Sequence, residues 1–397
     1  MELAAALPVF RDKSSDKGEF FANTPVLLKK MKKAGLPQEQ RSLLRAFLGV
    51  KGNERLLALK GAPFTEQKQE IEAIAGEMAE QHENYTKSEQ LAWLFLDAIE
   101  EEDKEMERLN RLEHISTDIF TRSTAREPKR QSWLKQSTNP YDQYELGEIL
   151  LKSEDYSDPE KAEESYIAAA QNGVSDGLFT LGLYHQLDLH DYEGAKNFYE
   201  QLKELGNGKG NTGLAILYSD TTEGNPYTDR AKAEEEALEG AEKRSGTAMF
   251  VYGALVLKDE PEKGNQWVLD ALHYDPNLRA QYAAARQFAD SIFANLERSF
   301  PDFAGRLTGD ERARLRDSLV VPLYASKYNM NENYGVFLED LIHLINLLHK
   351  SYPSLSPKQV MQALGITEEL LDQLAAQYAS LDEHSKELQE KLKNLDA

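Results

Sequence analysis

Apolar residues recur every three or four positions along most of the chain, and few segments alternate between apolar and polar with a period of two. The first pattern is typical of a helix with one buried face, whereas alternation is typical of a half-buried strand. No Asn-Gly pair lies between two β-branched runs, so the usual signal for a hairpin is also missing. The pattern predicts an all-α protein.

The pattern divides the chain into four regions. Residues 1–115 form an N-terminal helical domain, and residues 116–138 form a linker rich in Ser and Thr with five basic and two acidic side chains. Residues 139–290 hold internal repeats, and residues 291–397 form a C-terminal helical cap. The linker is either a solvated loop or a basic segment lying along the acidic region that follows it.

The central region repeats two helices at a nearly constant interval. One marker, a large residue followed by a small one, has spacings of 35, 33 and 38 residues, and it occurs at Leu146-Gly147, Leu181-Gly182, Leu214-Ala215 and Tyr252-Gly253. A second marker, a single small residue, has spacings of 33, 38 and 31 residues, and it occurs at Ala162, Ala195, Ala233 and Gly264. Because both markers advance together, they predict stacked helix pairs.

Each recurring residue type has a physical role in such a pair. A small residue lets two helices approach closely, and an aromatic residue three or four positions after the second marker is expected in the seam between pairs, at Tyr166, Phe198 and Trp267. Glycines in the left-handed region are expected to end second helices at Gly173, Gly206 and Gly246. Prolines are expected to begin them after Asp158, Asn225 and Glu260.

These segments resemble a known family. The stretches "YELGEIL", "DPEKAEESYIAAAQNG", "GLFTLGLYHQ" and "YEGAKNFYEQLKELG" are similar to Sel-one-like repeats, relatives of the tetratricopeptide repeats, over about residues 140–285. The third pair departs from the family pattern because Ala215 replaces the usual Gly, and the fourth has Gly264 at the small position. The resemblance implies a right-handed α-solenoid flanked by helical regions, with a face that binds other proteins.

Charge narrows the possible partners. The chain carries 46 basic and 68 acidic side chains, a net charge of −22, and residues 141–290 alone hold 29 acidic and 13 basic side chains. Such a chain repels nucleic acid and anionic membranes and suits a basic protein or peptide. We predict an acidic binding surface on the repeats, with the candidate partner-binding residues Tyr144, Glu145, Glu148, Asp176, Tyr184, Tyr218 and Tyr252.

Three motifs contain residue types that are used in phosphate binding, metal binding or catalysis. "GNGKGNTG" (206–213) lacks the spacing of a phosphate-binding loop, so a flexible turn is expected there. "YHQLDLHDY" (184–192) contains potential metal ligands, but Asp191 is expected to cap the next helix. Arg108 and His114 have the spacing of some helical ribonucleases without their flanking residues. We therefore predict no catalytic residue, no cofactor and no metal, and there is no cysteine.

The sequence thus predicts a non-catalytic adaptor or inhibitor, for example a bacterial toxin-immunity protein, that holds a basic partner. The alternatives are a scaffold of a bacterial envelope complex and a helical enzyme with its site in the N-terminal region. Leu374, Leu381, Leu388 and Leu395 lie seven residues apart in one predicted helix beginning at Thr367, which allows an oligomer, although a monomer is favoured. As it stands the chain is expected in the cytoplasm, or in the periplasm if Met1 replaces a signal peptide. No membrane insertion is expected.

Overall fold

The computed structural model describes residues 2–82, 85–121, 127–152, 157–326, 332–376 and 381–395. Every regular element in these ranges is a helix, with no strand, so the prediction of an all-α protein is confirmed. Within the same ranges, no helix combines the length and the apolar character that crossing a bilayer requires. The chain forms two compact units, Met1–Thr117 and Asp118–Ala397.

The first compact unit packs its helices around α7. Its elements are α1 (Leu3–Asp12), α2 (Lys17–Ala22), α3 (Thr24–Lys33), α4 (Gln38–Gly49), α5 (Gly52–Ala58), α6 (Phe64–His82), α7 (Tyr85–Glu100) and α8 (Glu102–Thr121). Helix α7 contacts α1, α4, α5 and α6, and its residues Phe95, Leu96 and Ile99 lie in the shared core. Burial of these large side chains is the main term that stabilises the unit.

The second compact unit begins with helices that pack in series. They are α9 (Glu127–Leu134), α10 (Pro140–Lys152), α11 (Pro159–Gln171), α12 (Gly177–Leu183), a π-helical turn (Tyr184–Asp188), α13 (Tyr192–Glu204), α14 (Gly208–Ser219), α15 (Arg230–Glu242), α16 (Gly246–Val256) and α17 (Pro261–Tyr274). From α10 to α17 they form four helix pairs. The two helices of a pair contact each other, and the second helix contacts the first helix of the next pair.

The predicted starts and C-terminal ends of the second helices are partly confirmed. Pro159 and Pro261 lie in the first turn of α11 and α17, and Gly173 and Gly206 follow α11 and α13 with φ of 94° and 78°. The prediction for Gly246 is wrong, because this residue begins α16. The left-handed conformation after α15 is adopted instead by Arg244, with φ of 63°.

The predicted start of the second helix in the third pair is also wrong. The side-chain amide of Asn225 donates to the carbonyl oxygens of Leu217 and Asp220, at 2.8 and 2.9 Å, and so it holds a turn after α14. Helix α15 begins later, where the carboxylate of Asp229 accepts the backbone N–H of Lys232. The capping carboxylate, which satisfies an orphan donor, decides this boundary rather than the proline.

The segment predicted as a linker is largely helical in its described part, although residues 135–138 are not. Residues 127–134 form α9, which packs on α10 through the buried side chain of Leu134. The guanidinium of Arg130 pairs with Glu145 of α10. Of the two interpretations of the basic segment, the described part therefore favours contact with the acidic region.

In the described residues from 276 onward, seven helices complete the second compact unit. They are α18 (Pro276–Ser299), α19 (Pro301–Ala304), α20 (Gly309–Ala325), α21 (Glu332–Ser351), α22 (Pro357–Ala363), α23 (Glu368–Ala375) and α24 (Glu383–Lys393). Helix α20 contacts α16, α17 and α18, so the last pair is covered at its outer end. Stacked pairs require such a cover, because each buries its apolar surface only against a neighbour.

The single terminal helix predicted from Thr367 is wrong. Helix α23 ends at Ala375, and α24 begins where the carboxylate of Asp382 accepts the backbone N–H of Ser385 at 2.7 Å. Leu374 is buried in the core of this region, and three further leucines of the series pack against that core while partly buried: Leu381, Leu388 and Leu395. The heptad spacing therefore reflects packing within the chain.

Candidate functional site

The structure buries most of the residues that we expected on a binding surface. Two of the seven are half-buried, Tyr184 and Tyr218, and five are buried: Tyr144, Glu145, Glu148, Asp176 and Tyr252. The expectation that these five are accessible is wrong. They lie on or beside the first helices of the pairs, which have neighbours on both sides in the series.

Tyr166 of α11 forms the seam between the first two pairs. Its ring is fully buried, and a Cβ atom added to Gly147 or Gly177 would lie less than 3.0 Å from it. Its hydroxyl donates to Oε1 of Glu148 at 2.7 Å, and Nζ of Lys152 donates to Oε2 of the same carboxylate at 2.5 Å. Burial raises the pKa of Tyr166 well above its ordinary value, so the hydroxyl stays a donor.

The seam recurs in the second pair at Tyr199. This ring lies against Gly182 of α12 and Gly213 of α14, and a Cβ on either would be less than 3.0 Å from it. Its hydroxyl donates to Oε1 of Gln186 at 3.2 Å, and the amide nitrogen of Gln186 donates to Asp220 at 2.9 Å. The hydroxyl of each buried tyrosine thus donates a hydrogen bond to a side chain that has a further polar partner. Buried hydroxyls generally need such a hydrogen bond.

The aromatic residues predicted for the other seams lie elsewhere. Phe198 packs on His185 with ring centroids 5.1 Å apart, because Tyr199 rather than Phe198 has the same helical position as Tyr166. In the fourth pair, the backbones of the two helices α16 and α17 contact each other directly. A Cβ on Gly253 would lie 2.8 Å from the carbonyl oxygen of Gly264. Trp267 is buried, and its ring packs edge-on against Tyr252 at 5.4 Å.

The buried carboxylates predicted to attract a partner are neutralised within the chain. Glu145 pairs with Arg130, Glu148 pairs with Lys152, and Asp176 pairs with Nζ of Lys209 at 2.8 Å. Removing one member of a buried ion pair leaves an uncompensated charge, at a cost of about 3–5 kcal/mol. The pairs of Glu145 and Asp176 therefore join neighbouring helices, whereas the pair of Glu148 and Lys152 lies within α10.

Lys203 makes a similar connection between the second and third pairs. Its ammonium group lies 2.9 Å from a carboxylate oxygen of Glu236 and 2.7 Å from one of Glu239, both on α15. Desolvation lowers and the two carboxylates raise the pKa of Lys203, and the net direction is upward. The carboxylates of Glu236 and Glu239 are therefore also paired within the chain.

A different set of carboxylates remains exposed on the second helices. We call it the outer acidic row, and it consists of Glu160, Glu164, Glu193, Glu235 and Glu262. Each of these residues lies two positions before or after a second marker, about 200° around the helix axis from that buried small residue. None of the five forms a direct ion pair among the described residues, although Glu193 accepts the hydroxyl of Tyr227. Lys161 is a basic neighbour, since Asp158 first, and then Glu164 and Glu160, raise its pKa.

The signal for the outer acidic row is present in the sequence but was missed. Glu160, Glu193 and Glu262 stand at the same register in three second helices, and Glu164 and Glu235 share another. Positions two residues from a buried marker face solvent, so the register could have been read from the markers. The predicted residues were instead chosen from the first helices.

The two loop motifs have structural roles. In "YHQLDLHDY", Nδ1 of His185 lies 2.8 Å from Oδ2 of Asp191, and Asp191 caps α13 through the backbone N–H of Gly194, as expected. No group of three or more His, Asp or Glu side chains is placed to hold a metal ion in the described ranges. "GNGKGNTG" contributes the first turns of α14 rather than a flexible turn, and Gly210 packs on the backbone of Lys203.

The buried polar side chains of the first compact unit connect helices. The guanidinium of Arg11 donates to the carbonyl oxygen of Ala98 at 3.0 Å and to both carboxylate oxygens of Asp103. The amide of Asn53 donates to the carbonyl oxygen of Phe21 at 2.7 Å. These bonds link helices at separate places in the unit, although Oδ1 of Asn53 has no hydrogen-bond partner among the described residues. Arg108, weighed above for ribonuclease chemistry, pairs with Glu105 at 2.6 Å.

The chain was compared with known proteins at the level of sequence families, individual proteins and folds. No family model, curated protein or solved structure matches it.

Proposed function

We propose that the chain is a non-catalytic adaptor or inhibitor that holds a basic protein or peptide on the outer acidic row of a right-handed α-solenoid. The observation that carries this proposal is the row itself. Its five exposed carboxylates recur at fixed helical positions, and none forms a direct ion pair among the described residues, since the neighbouring Lys161 and Lys196 pair with Asp158 and Glu200.

The serial packing of α10 to α17 supports the solenoid. Two consecutive joints use the same device, a buried tyrosine inserted between glycines of adjacent first helices, at Tyr166 and Tyr199. Equal joints turn successive pairs by similar angles, and repetition of one rotation generates a superhelix. The resemblance to Sel-one-like repeats supports the same arrangement.

The distribution of charge supports a basic partner. Glu145, Glu148 and Asp176 have internal counter-ions, whereas the five carboxylates of the outer acidic row are exposed. Exposed charges of one sign accelerate association with an oppositely charged partner and repel like-charged ones such as nucleic acid. The proposed affinity is therefore sensitive to salt.

A titration with a short peptide made only of Ser and Lys, the Ser–Lys peptide, tests the proposal. We expect binding at about 50 mM salt that weakens steeply toward about 500 mM, because exposed charges are screened. The double variant Glu164→Lys with Glu235→Lys reverses two carboxylates of the outer acidic row and is expected to weaken binding by about tenfold or more at low salt.

A matched double variant separates the row from net charge alone. Glu369→Lys with Glu387→Lys changes the net charge by the same amount at exposed positions of α23 and α24. We expect this variant to bind the peptide nearly as well as the unmodified chain. Equal weakening in both double variants, or binding that salt does not affect, would contradict the proposal.

A further inference from the structure

The connection between α12 and α13 exposes two large apolar side chains. Leu187 is 48% exposed and Leu189 is 50% exposed, and we call this pair the leucine tip. Leu187 lies in the π-helical turn Tyr184–Asp188, in which an extra residue widens the helix. Such turns are rare in proteins, and many of those that occur lie at functional sites. Exposing two leucines to water is unfavourable unless a partner covers them.

Hydrogen bonds hold the leucine tip in place. The backbone N–H of Leu189 donates to the carbonyl oxygen of Tyr184 at 3.2 Å, and that of Asp191 donates to the carbonyl oxygen of His185 at 2.8 Å. His190 adopts a left-handed conformation with φ of 52°, which a non-glycine residue adopts at some cost. A bonded loop that presents apolar side chains loses little conformational entropy on binding.

The surroundings of the leucine tip are acidic. Asp188 lies between the two leucines in sequence and is exposed, Asp191 follows closely, and Glu193 belongs to the outer acidic row. The carboxylate of Asp191 has a lowered pKa, first because it accepts the N–H of Gly194 and then because of His185, so it is charged at neutral pH. An apolar centre with a negative rim complements an apolar side chain flanked by Lys or Arg.

We infer that the leucine tip is the apolar anchor point for the basic partner. The inference rests on the proposed function and adds the chemistry of the partner, a basic segment with exposed aliphatic or aromatic side chains on one face. The outer acidic row attracts the segment, and Leu187 and Leu189 then bury its apolar side chains. Burial of apolar side chains on binding is favourable, whereas ion pairs between exposed charges contribute little net affinity.

Two synthetic peptides of equal charge test this inference. One is an amphipathic helix of Leu and Lys, and the other has Ser in place of every Leu. In the double variant Leu187→Ser with Leu189→Ser, we expect the affinity for the Leu–Lys peptide to fall by about tenfold while the affinity for the Ser–Lys peptide is unchanged. Leu205→Ser, a change at another exposed leucine of the array, 58% exposed, is the control and is expected to alter neither affinity.

The outcomes distinguish the inference from the proposed function. If the Ser–Lys peptide binds and the leucine variant leaves the Leu–Lys affinity intact, the leucine tip is not the anchor, while the acidic row remains. Loss of both affinities to the same extent also overturns the anchor, because the effect is then not apolar. If neither peptide binds the unmodified chain, the proposed function fails together with the inference.

Discussion

At the scale of single residues, the seam between pairs depends on glycines that make room for a tyrosine. The sequence predicted close approach at Gly147 and Gly182 and an aromatic residue at Tyr166. It did not show that Gly177 and Gly213 complete the two seams, because these glycines precede the next markers and contact the ring only through the stacking. The aromatic residue predicted for the second seam, Phe198, lies one position before Tyr199, which fills it.

Gly182→Ala tests this packing. The added methyl group would lie against the buried ring of Tyr199, which has no space to move, so we expect a loss of about 1–3 kcal/mol in the free energy of unfolding. Gly309→Ala, at the start of α20 where nothing lies within 4 Å of the added atom, is the control and is expected to cause no loss. Urea unfolding followed by circular dichroism measures both, and equal stability of the two variants would show that the seam is loosely packed.

At the scale of elements, most helices could be predicted, but some ends and one whole helix could not. Helix α22 has limits that its sequence indicates, since Ser356 and Gln359 form a capping box at its start and the left-handed Gly365 follows its end. Helix α9 was missed because its short segment lacks a steady apolar period. The break between α23 and α24 was missed because the leucine spacing continues across it, although Asp382 caps a new helix.

Helix α21 carries a partly buried carboxylate with a measurable consequence. Burial, and to a lesser extent Glu339, raises the pKa of Asp340 to about 6, while His343 acts in the opposite direction. The unfolded chain has the ordinary, lower value, so the folded state binds this proton more tightly. Asp340 therefore costs no stability well below pH 4, where both states are protonated. The cost grows between about pH 4 and pH 6 and is constant above that range, where both states are ionised.

Asp340→Asn is expected to raise the urea midpoint at about pH 8 and to raise it much less at about pH 4, because the amide removes the buried charge. Glu387→Gln, at an exposed position of α24, is the control and is expected to change neither midpoint. A gain for Asp340→Asn that is the same at both pH values would mean that charge burial is not its cause.

At the scale of the whole molecule, the sequence predicted the sign of the charge but not its location. Counting side chains gives −16 for residues 141–290, yet counting does not distinguish a carboxylate paired with Lys209 from one facing solvent. The pairing depends on which helices become neighbours, and only the stacking of the pairs decides that. The candidate surface consequently moves from the first helices to the outer faces of the second helices.

Carbodiimide crosslinking tests the central claim most directly, since the reagent joins carboxylates to lysines in direct contact. The chain would be crosslinked with the Ser–Lys peptide and the linked residues mapped by mass spectrometry. We predict links at Glu160, Glu164, Glu193, Glu235 and Glu262, and none at the buried Glu145, Glu148 and Asp176. Links found mainly on α21 to α24 or in the first compact unit would contradict the account.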